Sequence, residues 1–435
     1  MMIENGILNK PKLREQLWFK VLFALFAGVI VGVLMGQDLA LMPHHIATSI
    51  SEWLALPGYL FMTLLKFIVI PLVISSVMLG ICDSSGSKAL KTLGSSVGFI
   101  LFTTTIATTI ALSLTFLIEP GAAVDNRYFG GTGDSTINPI NIAENGALGI
   151  IKGIMPGNLF YHMSNADMLQ IVVAAIIIGL ALLNMAKDDS MPLIALMRSV
   201  QKVCMTIVIW LMKYTPIVVF GLILNTVVQM GLGAIVAVSM FFATVVLGML
   251  CMVLVYMLII AILTPHNPLT FIKNCREVIA FALATSSSSA TMPVTLRVTE
   301  TLHKVRPQIS RLVIPLGTTV NMDGTAIFQA TAVVFIAQAF GVDLTTTQLI
   351  IISLLAIVAS IGAPGIPSGS LPILAGTLAS QGLPVEGMAL VIGVDRLLDM
   401  GRGVINILGD MTSATVLNTY IKEDTVTDVP VSDAG

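Results

Sequence analysis

Long apolar runs separated by polar connections fill the first 263 residues of the chain. A helix needs about 20 predominantly apolar residues to cross the hydrocarbon core of a bilayer, and these runs reach that length. The pattern therefore predicts six ordinary transmembrane helices in this part of the chain, near residues 18–36, 48–80, 95–118, 165–186, 203–230 and 233–263.

The pattern changes after "TPHNP" at 264–268, where the apolar runs become shorter. Three interruptions there are too polar or too rich in helix breakers to cross hydrocarbon as continuous helix. Non-helical backbone at membrane depth is tolerated only where protein buries it or where it lines a watery cavity, so we expect the three to surround an internal site. They are "ATSSSSATMPVT" at 284–295, "GTTVNMDGTA" at 317–326 and "SIGAPGIPSGSLP" at 360–372.

A polar stripe lies in the last apolar segment, within "DRLLDMGRGVINILGD" at 395–410. A charge at the bilayer centre costs at least about 2.5 kcal/mol, so such a stripe must face a polar interior. A ligand site and a fixed network of buried ion pairs both stay open. A surface amphipathic helix is disfavoured, because we expect the rest of the helix to form an apolar face that lacks the Lys or Arg side chains needed to bind lipid headgroups. The members, at steps of four, three, four and four residues, are Asp395, Asp399, Arg402, Asn406 and Asp410.

Each interruption offers different binding chemistry. The serines at 286–289 suit the tip of a re-entrant hairpin whose hydroxyl and freed N–H groups bind a carboxylate, with a plain polar linker as the alternative. Asn321 and Asp323 offer hard oxygen ligands for a cation beside Gly324, with a loop turn as the alternative. The segment "GAPGIPSGS" suits a second, mobile hairpin tip, with a rigid turn as the alternative.

Composition supports a polytopic membrane protein. The 435 residues are 56% hydrophobic and only 11% charged, with a mean hydropathy of +0.94, whereas soluble domains carry about 25% charged residues. The net charge of −2 and the scattered basic residues give no sign of nucleic-acid binding. The four cysteines lack CxxC or metal-finger spacing, which predicts isolated thiols at Cys82, Cys204, Cys251 and Cys275.

The distribution of lysine and arginine predicts the orientation in the membrane. Basic residues precede the first span and lie between the second and third spans and between the fourth and fifth, so these regions and both termini are predicted to be cytoplasmic. The polar connection at 119–164 fits an external loop. No small-residue cleavage site follows the first apolar run, which favours a retained span over a signal peptide, in a protein of the cytoplasmic (inner) membrane.

Motifs of several enzyme classes are missing from the sequence. No GKS or GKT phosphate loop is present, which argues against direct use of ATP. Neither HExxH nor GxSxG occurs, and the histidines lie far from the stripe in sequence. We therefore predict that the protein is not an enzyme.

Four ordered motifs, "TSSSSATMP", "NMDGTA", "SIGAPGIP" and "DRLLDMGRGVINILGD", give the chain a specific resemblance. In this order they resemble the dicarboxylate/amino acid:cation symporter family, and the resemblance covers nearly the whole chain. It implies an all-α membrane protein with eight transmembrane helices and two re-entrant hairpins, assembled as a homotrimer. Helices 1, 2, 4 and 5 would form a fixed scaffold, while helices 3, 6, 7, 8 and both hairpins would move as an elevator.

The resemblance also implies domain boundaries. The scaffold would take helices 1 and 2 from 1–86, and the external loop with helices 4 and 5 from 119–231. The transport domain would take helix 3 from 87–118 and a core from 232–421, followed by a cytoplasmic tail at 422–435. Within the core, the expected elements are helix 6, hairpin 1 at about 267–303, helix 7 at about 307–340, hairpin 2 at about 345–382 and helix 8 at about 384–420.

For the substrate, the resemblance implies that Asp399 meets an amino group and that Arg402 meets a side-chain carboxylate. An arginine fork suits bidentate carboxylate binding, which agrees with this role. Asn406 and the backbone around Ser287 and Ser288 would hold the α-carboxylate. The other substrate-site positions implied are Ser286, Thr325, Ile366, Ser370 and Gly403.

For the coupling ion, the resemblance implies Na⁺ as a co-transported ion rather than a prosthetic group. Side-chain oxygens would come from the "NMDGTA" motif, from the stripe and from the third span. Backbone carbonyls near Gly317 and Thr319 and at Ser360 and Ile361 would be further ligands. The side-chain ligands implied are Thr103, Thr104, Asn321, Asp323, Asn406 and Asp410.

Four positions depart from the family pattern. Relatives carry an arginine either where Ser286 stands or where Met400 stands, and this chain has neither. Gly403 replaces a threonine that commonly helps to bind substrate, and Ser370 stands where a small residue at the hairpin tip is usual.

The hypothesis from the sequence is a sodium-coupled importer of aspartate or glutamate. Arg402 favours an anionic side chain, Asp399 favours an amino-bearing substrate, and Asp410 favours sodium over protons. The partners would be the amino acid, sodium ions, the lipid bilayer and two further copies of the chain, without nucleic acid. The alternatives are a proton-coupled carrier of a C4-dicarboxylate or another anionic metabolite, and an anion-conducting channel.

Overall fold

The computed structural model describes residues 17–36, 39, 42–82, 90–122, 155–165, 168–362 and 369–421, and within these ranges all regular structure is helical. The predicted external loop and both termini lie largely outside the described residues. The helices of the first part are α1 (Leu17–Met35), α2 (His44–Cys82), α3 (Leu90–Ile118), α4 (Leu159–Asn165), α5 (Met168–Asn184), α6 (Lys187–Met230) and α7 (Leu232–Leu263).

Shorter helices follow, as the interruptions in the sequence predict. They are α8 (Pro268–Asn274), α9 (Arg276–Thr285), α10 (Ser288–Thr301), α11 (Pro307–Val320), α12 (Asp323–Ala339), α13 (Thr346–Gly362), α14 (Ser370–Ser380) and, after a 3₁₀ turn at Val385–Gly387, the long α15 (Met388–Tyr420). Proline at the start of α8 and α11 suits the first helical turn, where an N–H has no intrahelical partner.

Four described stretches are long and apolar enough to cross a membrane, and a fifth results if the bent pair His44–Leu65 and Ile70–Leu79, at 44°, is one span. The four are Gly94–Ile118, Lys187–Leu211, Ile235–Leu263 and Pro307–Ala339. Helices cover all six predicted apolar runs, but α6 begins at Lys187 rather than near 203. The basic connection expected before the fifth span is itself helical, because its Lys, Leu, Met and Ala residues are good helix formers.

The helices form two bundles. The first bundle consists of α1, α2, α5 and α6. In it, α1 packs against α6 and α5 packs against α2, while α2 and α6 form the largest helix–helix contact of the described residues. The second bundle consists of α3, α7 and the helices from α9 to α15, with α12 and α15 at its centre. The rings of Phe241 on α7 and Phe335 on α12 stack there with centroids 4.8 Å apart. The bundles meet where α15 contacts α1 and α6 and where α14 contacts α2.

The close contact between α2 and α6 depends on Gly221. A β-carbon at this position would lie 2.0 Å from the carbonyl oxygen of Leu54 on α2. Gly221→Ala is therefore expected to lower the thermal midpoint of the purified protein, because relieving such a clash costs about 1–3 kcal/mol. Gly98→Ala on α3 is the control, since a β-carbon there meets no atom within 4 Å. Equal midpoints for the two variants would contradict this packing.

Candidate functional site

Two of the three predicted interruptions are visible as breaks in helical structure. Ser286 ends α9 in the left-handed region, with φ 50° and ψ 32°, and Ser287 opens α10 by accepting a hydrogen bond from the backbone N–H of Ala290 at 3.3 Å. Asn321, with φ −93° and ψ 98°, separates α11 from α12. The tip of the third interruption, at 363–368, lies outside the described residues. The two breaks bring freed backbone groups towards α15.

The polar stripe of α15 faces the interior of the second bundle. Its five members are between 1% and 8% exposed. Buried charges are stable only when paired or hydrogen-bonded, so their partners determine what the stripe does.

Arg402 is the centre of the N-terminal part of the stripe. Its Nη2 donates to Asp395 Oδ1 at 2.9 Å and to Asp399 Oδ1 at 2.6 Å, and its Nη1 donates to Ser370 Oγ at 2.7 Å. Its guanidinium carbon lies 4.1 Å from the ring centroid of Phe328, a cation–π contact. The buried Nε has no hydrogen-bond partner among the described residues. Arg402 is therefore held firmly while one donor remains for a ligand.

Asn406 connects α15 to the break between α11 and α12. Its Oδ1 accepts a hydrogen bond from the Gly324 N–H at 2.9 Å, and its carbonyl oxygen accepts from Asn321 Nδ2 at 3.3 Å. Asn321 Nδ2 also donates to Asp410 Oδ1 at 2.9 Å. A β-carbon on Gly324 would lie 2.8 Å from the Arg402 carbonyl oxygen, so only glycine allows this approach.

Asp323 lies deepest, with no exposed surface. The Thr104 hydroxyl donates to its Oδ1 at 2.6 Å and the Tyr256 hydroxyl donates to its Oδ2 at 2.7 Å. Thr103 is also buried, and its hydroxyl donates to the Ile100 carbonyl at 3.0 Å. Together with Asp410 and the Oδ1 of Asn321, which has no partner among the described residues, these groups form an oxygen-rich pocket. Such donors suit a small hard cation.

Sequence reasoning missed two residues of this site. Tyr256 lies in the apolar run of α7, where a buried phenol needs a hydrogen-bond partner, and this requirement was the available signal. Arg396 was also overlooked, and the expectation of a wholly apolar remainder of this helix is wrong at that position. Its Nη1 lies 3.4 Å from Asp399 Oδ2. Asp399 thus has cations on both oxygens although Ser286 and Met400 are not arginine.

The other predicted positions surround this arrangement. Ser286, Ser288, Thr325 and Ser370 are each at most 5% exposed, and the Ser286 hydroxyl has no partner among the described residues. A β-carbon on Gly317 would lie 2.2 Å from Asp410 Oδ1, so this turn of α11 packs against the C-terminal end of the stripe. Ile366 lies outside the described residues. The predicted ligands at Thr319, Ser360 and Ile361 are backbone carbonyls, and the side chains of these three residues are likewise outside what the structure describes.

Comparison with known proteins gives a consistent result. Residues 17–420 match the profile of the sodium:dicarboxylate symporter family. The chain is 30% identical over 409 residues to the proton/glutamate-aspartate symporter of Escherichia coli K12, covering 92% of both chains. It is 30% identical to an excitatory amino acid transporter of Caenorhabditis elegans, covering 92% of this chain and 87% of the relative. It is 33% identical to neutral amino acid transporter B(0) of Oryctolagus cuniculus, covering 92% and 79%.

Proposed function

We propose, since this chain belongs to the sodium:dicarboxylate symporter family, that it is a sodium-coupled symporter that imports aspartate or glutamate. The relatives are named as transporters, and the family is one of transporters rather than enzymes. The observation that carries the proposal is the pairing of Asp399 and Arg402 at 2.6 Å inside the second bundle, with one Arg402 donor unused.

An acidic amino acid presents one ammonium and two carboxylates, and the site offers a complement to each. Asp399 accepts hydrogen bonds from the ammonium group, which provides a positive charge as the guanidinium groups of Arg402 and Arg396 do in this structure. Arg402 turns its fork to the side-chain carboxylate, because guanidinium and carboxylate match in two parallel hydrogen bonds. The α-carboxylate binds to Asn406 and to the N–H groups at the start of α10, near Ser287 and Ser288. Thr325, Ile366, Ser370 and Gly403 complete the proposed substrate contacts.

Two carboxylates support the coupling to a cation. Asp323 and Asp410 are each at most 1% exposed, and among the described residues neither forms an ion pair with Lys or Arg. Two buried anions without cationic partners favour the entry of positive ions. We assign the sodium ligands to Thr103, Thr104, Gly317, Thr319, Asn321, Asp323, Ser360, Ile361, Asn406 and Asp410.

A proton is the rival coupling ion, because the same carboxylates can bind protons. One relative is named as a proton/glutamate-aspartate symporter and another as a proton/sodium-glutamate symport protein. We favour sodium because the pocket offers hydroxyl, amide and carboxylate oxygens together, which is a coordination shell rather than a single proton acceptor.

The proposed mechanism is an elevator in a homotrimer of the cytoplasmic membrane, with both termini inside the cell. The first bundle would be the scaffold, from 1–86 and 119–231, and the second bundle would carry the site across the membrane, from 87–118 and 232–421. Support comes from the packing, since Ser370, Asn321 and Gly324, which hydrogen-bond to the stripe, all belong to the second bundle. Eight transmembrane helices and two hairpins, α9–α10 and α13–α14, belong to this proposal.

Uptake into proteoliposomes tests the function. Purified protein should accumulate radiolabelled aspartate under an inward sodium gradient, and it should not do so under an equal potassium gradient at the same pH. An inward proton gradient without sodium is the second arm. Uptake under that gradient alone would replace sodium by protons, and uptake of succinate in preference to aspartate would indicate a dicarboxylate carrier. Current without solute uptake would indicate a channel.

Gly403 provides a test of the substrate contacts. The nearest atom to a β-carbon built there, outside its own helix, is the backbone carbon of Ser286 at 3.9 Å, so the position has room for a side chain. Gly403→Thr is expected to fold and to bind aspartate about 2–10-fold more tightly, the value of one added hydrogen bond of about 0.5–1.5 kcal/mol. Gly403→Ala is the control, since it fills space without a hydroxyl. A threonine variant no tighter than the alanine variant would exclude Gly403 from the substrate contacts.

A further inference from the structure

A nitrogen donor and a second sulfur lie next to the Cys275 thiol in the second bundle, outside the polar stripe. The Sγ of Cys275 lies 3.6 Å from Nε2 of His303 and 3.8 Å from Sδ of Met411. The three residues come from different elements, namely the junction of α8 and α9, the turn between α10 and α11, and α15. All are buried, with exposures of 0%, 2% and 0%. Cys275 is the centre of a cluster that the sequence, with its isolated cysteines, did not predict.

The donor separations match those around a bound metal ion. Metal–sulfur bonds of about 2.3 Å and metal–nitrogen bonds of about 2.0 Å, at angles between tetrahedral and trigonal, place sulfur and nitrogen about 3.5–3.7 Å apart and two sulfurs about 3.8–4.0 Å apart. Both observed distances fit these intervals. The cluster therefore needs little movement of Cys275 towards or away from its partners to receive an ion.

The chemistry of the donors selects the class of ion. Thiolate and thioether ligands prefer soft ions such as Cu⁺, and imidazole also binds copper. The absence of a carboxylate from this donor set disfavours hard divalent ions.

A thiol–imidazole hydrogen bond in a packed interior is the simpler explanation of the first distance. When the His303 N–H donates to the thiol, the single thiol hydrogen is left to donate to Met411, so hydrogen bonds can explain both distances. His303 is 2% exposed, but its chain neighbours Leu302, which is 50% exposed, and Lys304 lie at the surface. Binding of a soft metal ion decides between a site and simple packing, since only the site uses Met411 as a ligand.

We propose that Cys275, His303 and Met411 form a binding site for a soft monovalent cation, Cu⁺ or its analogue Ag⁺. On binding, the thiol proton passes to solvent and a metal–sulfur bond replaces the S–H bond, without any change of oxidation state. The ion would tie the base of α9 to α15 at the residue that follows Asp410. Metal binding here does not depend on the proposed transport function, and its test uses no transport measurement.

The probe is Ag⁺ in chloride-free nitrate buffer, measured by calorimetry on the full-length protein. A background variant with Cys82, Cys204 and Cys251 replaced by alanine retains Cys275 as its single thiol. It should bind one Ag⁺ per chain. In that background, Met411→Leu should weaken binding by at least about 10-fold, since even indirect changes at metal sites cost 10–100-fold in affinity. This substitution conserves volume and should leave the fold intact.

Met388→Leu is the matched control, because Met388 is equally buried on the same helix. Its Ag⁺ affinity should equal that of the background. Equal affinities of the Met411→Leu and Met388→Leu variants would overturn the proposal, because the ion would then bind an isolated thiol. X-ray absorption on the Ag⁺-loaded wild-type protein, at one equivalent, keeps the test decisive if the background variant does not fold. A shell of two sulfurs and one nitrogen supports the site, and a single sulfur with solvent oxygens rejects it.

Discussion

The Arg402→Cys protein is expected to lose at least about 100-fold in affinity for aspartate and glutamate, while binding of alanine or serine changes far less. Two charge-assisted hydrogen bonds to a carboxylate are worth about 1.5–3 kcal/mol each, and every 1.4 kcal/mol is a factor of ten. The loss is selective because only acidic substrates present the second carboxylate that Arg402 is proposed to bind. Competition against a labelled amino acid in proteoliposomes, or a thermal-shift screen with each substrate, measures the difference.

Folding has to be separated from binding in this experiment. Removal of Arg402 leaves Asp395 and Asp399 with one fewer buried partner, which costs about 3–5 kcal/mol when a buried pair is broken. Arg396→Cys is the control for charge, since Arg396 also pairs with Asp399 but its side chain is more exposed, at 16% against 2% for Arg402. Equal losses for acidic and neutral amino acids in the Arg402→Cys protein would refute the assignment of Arg402 to the side-chain carboxylate.

Asp410→Asn should raise the sodium concentration needed for half-maximal uptake by at least about 10-fold. The amide keeps the size of the carboxylate and a hydrogen-bonding oxygen opposite Asn321, but it removes a buried negative charge that favours a cation. The measurement is aspartate uptake at fixed pH across a series of external sodium concentrations. The same substitution does not touch the proposed substrate contacts, so affinity at saturating sodium should change much less.

Asp343→Asn serves as the matched control, because Asp343 is exposed and lies in the connection before α13. Its sodium dependence should equal that of the wild type. Gly317→Ala extends the test, since its β-carbon would lie 2.2 Å from Asp410 Oδ1 and must displace that carboxylate. An unchanged sodium curve in the Asp410→Asn protein would remove Asp410 from the ion site.

The helical stripe and the break at Asn321 are the parts of the site that local sequence reasoning predicts well. The steps between Asp395 and Asp410 fix a helix face, and a charged face in an apolar segment must turn inwards. The break follows from Asn321 and Gly324 between apolar runs. Both predictions rest on neighbours within one or two turns, where spacing alone determines which side chains lie together.

Long-range partners are the part that spacing cannot supply. The contact of Thr104 with Asp323 joins residues 219 positions apart, and nothing in the third span by itself selects that carboxylate. Only the family resemblance placed Thr104 at an ion site. Arg396 lies three residues before Asp399, within one helical turn, but beside the stripe and not on its steps, so the spacing does not select it. The start of α6 is not marked by a loss of hydrophobicity, because lysine and arginine are good helix formers and continue the helix outside the apolar run.

The ion pairs of Arg402 with Asp395 and Asp399 are what a fixed network of buried ion pairs, without a ligand, would also contain. A purely structural network satisfies its buried donors, however, and this one leaves Arg402 Nε, Ser286 Oγ and Asn321 Oδ1 without partners among the described residues. These three atoms lie on the elements that the proposed ligands require. The substitutions above distinguish the two readings, because a network without a ligand predicts changes in stability and none in selectivity.

The charges along α15 have an electrical consequence. The charges of Asp395, Arg396, Asp399 and Arg402 sum to zero, so the side chains of the substrate pocket contribute no net charge. When ionised and free of sodium, Asp323 and Asp410 give the second bundle two negative charges. If that bundle moves as proposed, a membrane potential negative inside drives the empty form outwards, by about 2.3 kcal/mol per charge per 100 mV. Voltage would then reset the carrier for each new cycle, and the cell would use its resting potential to speed the return of an empty site.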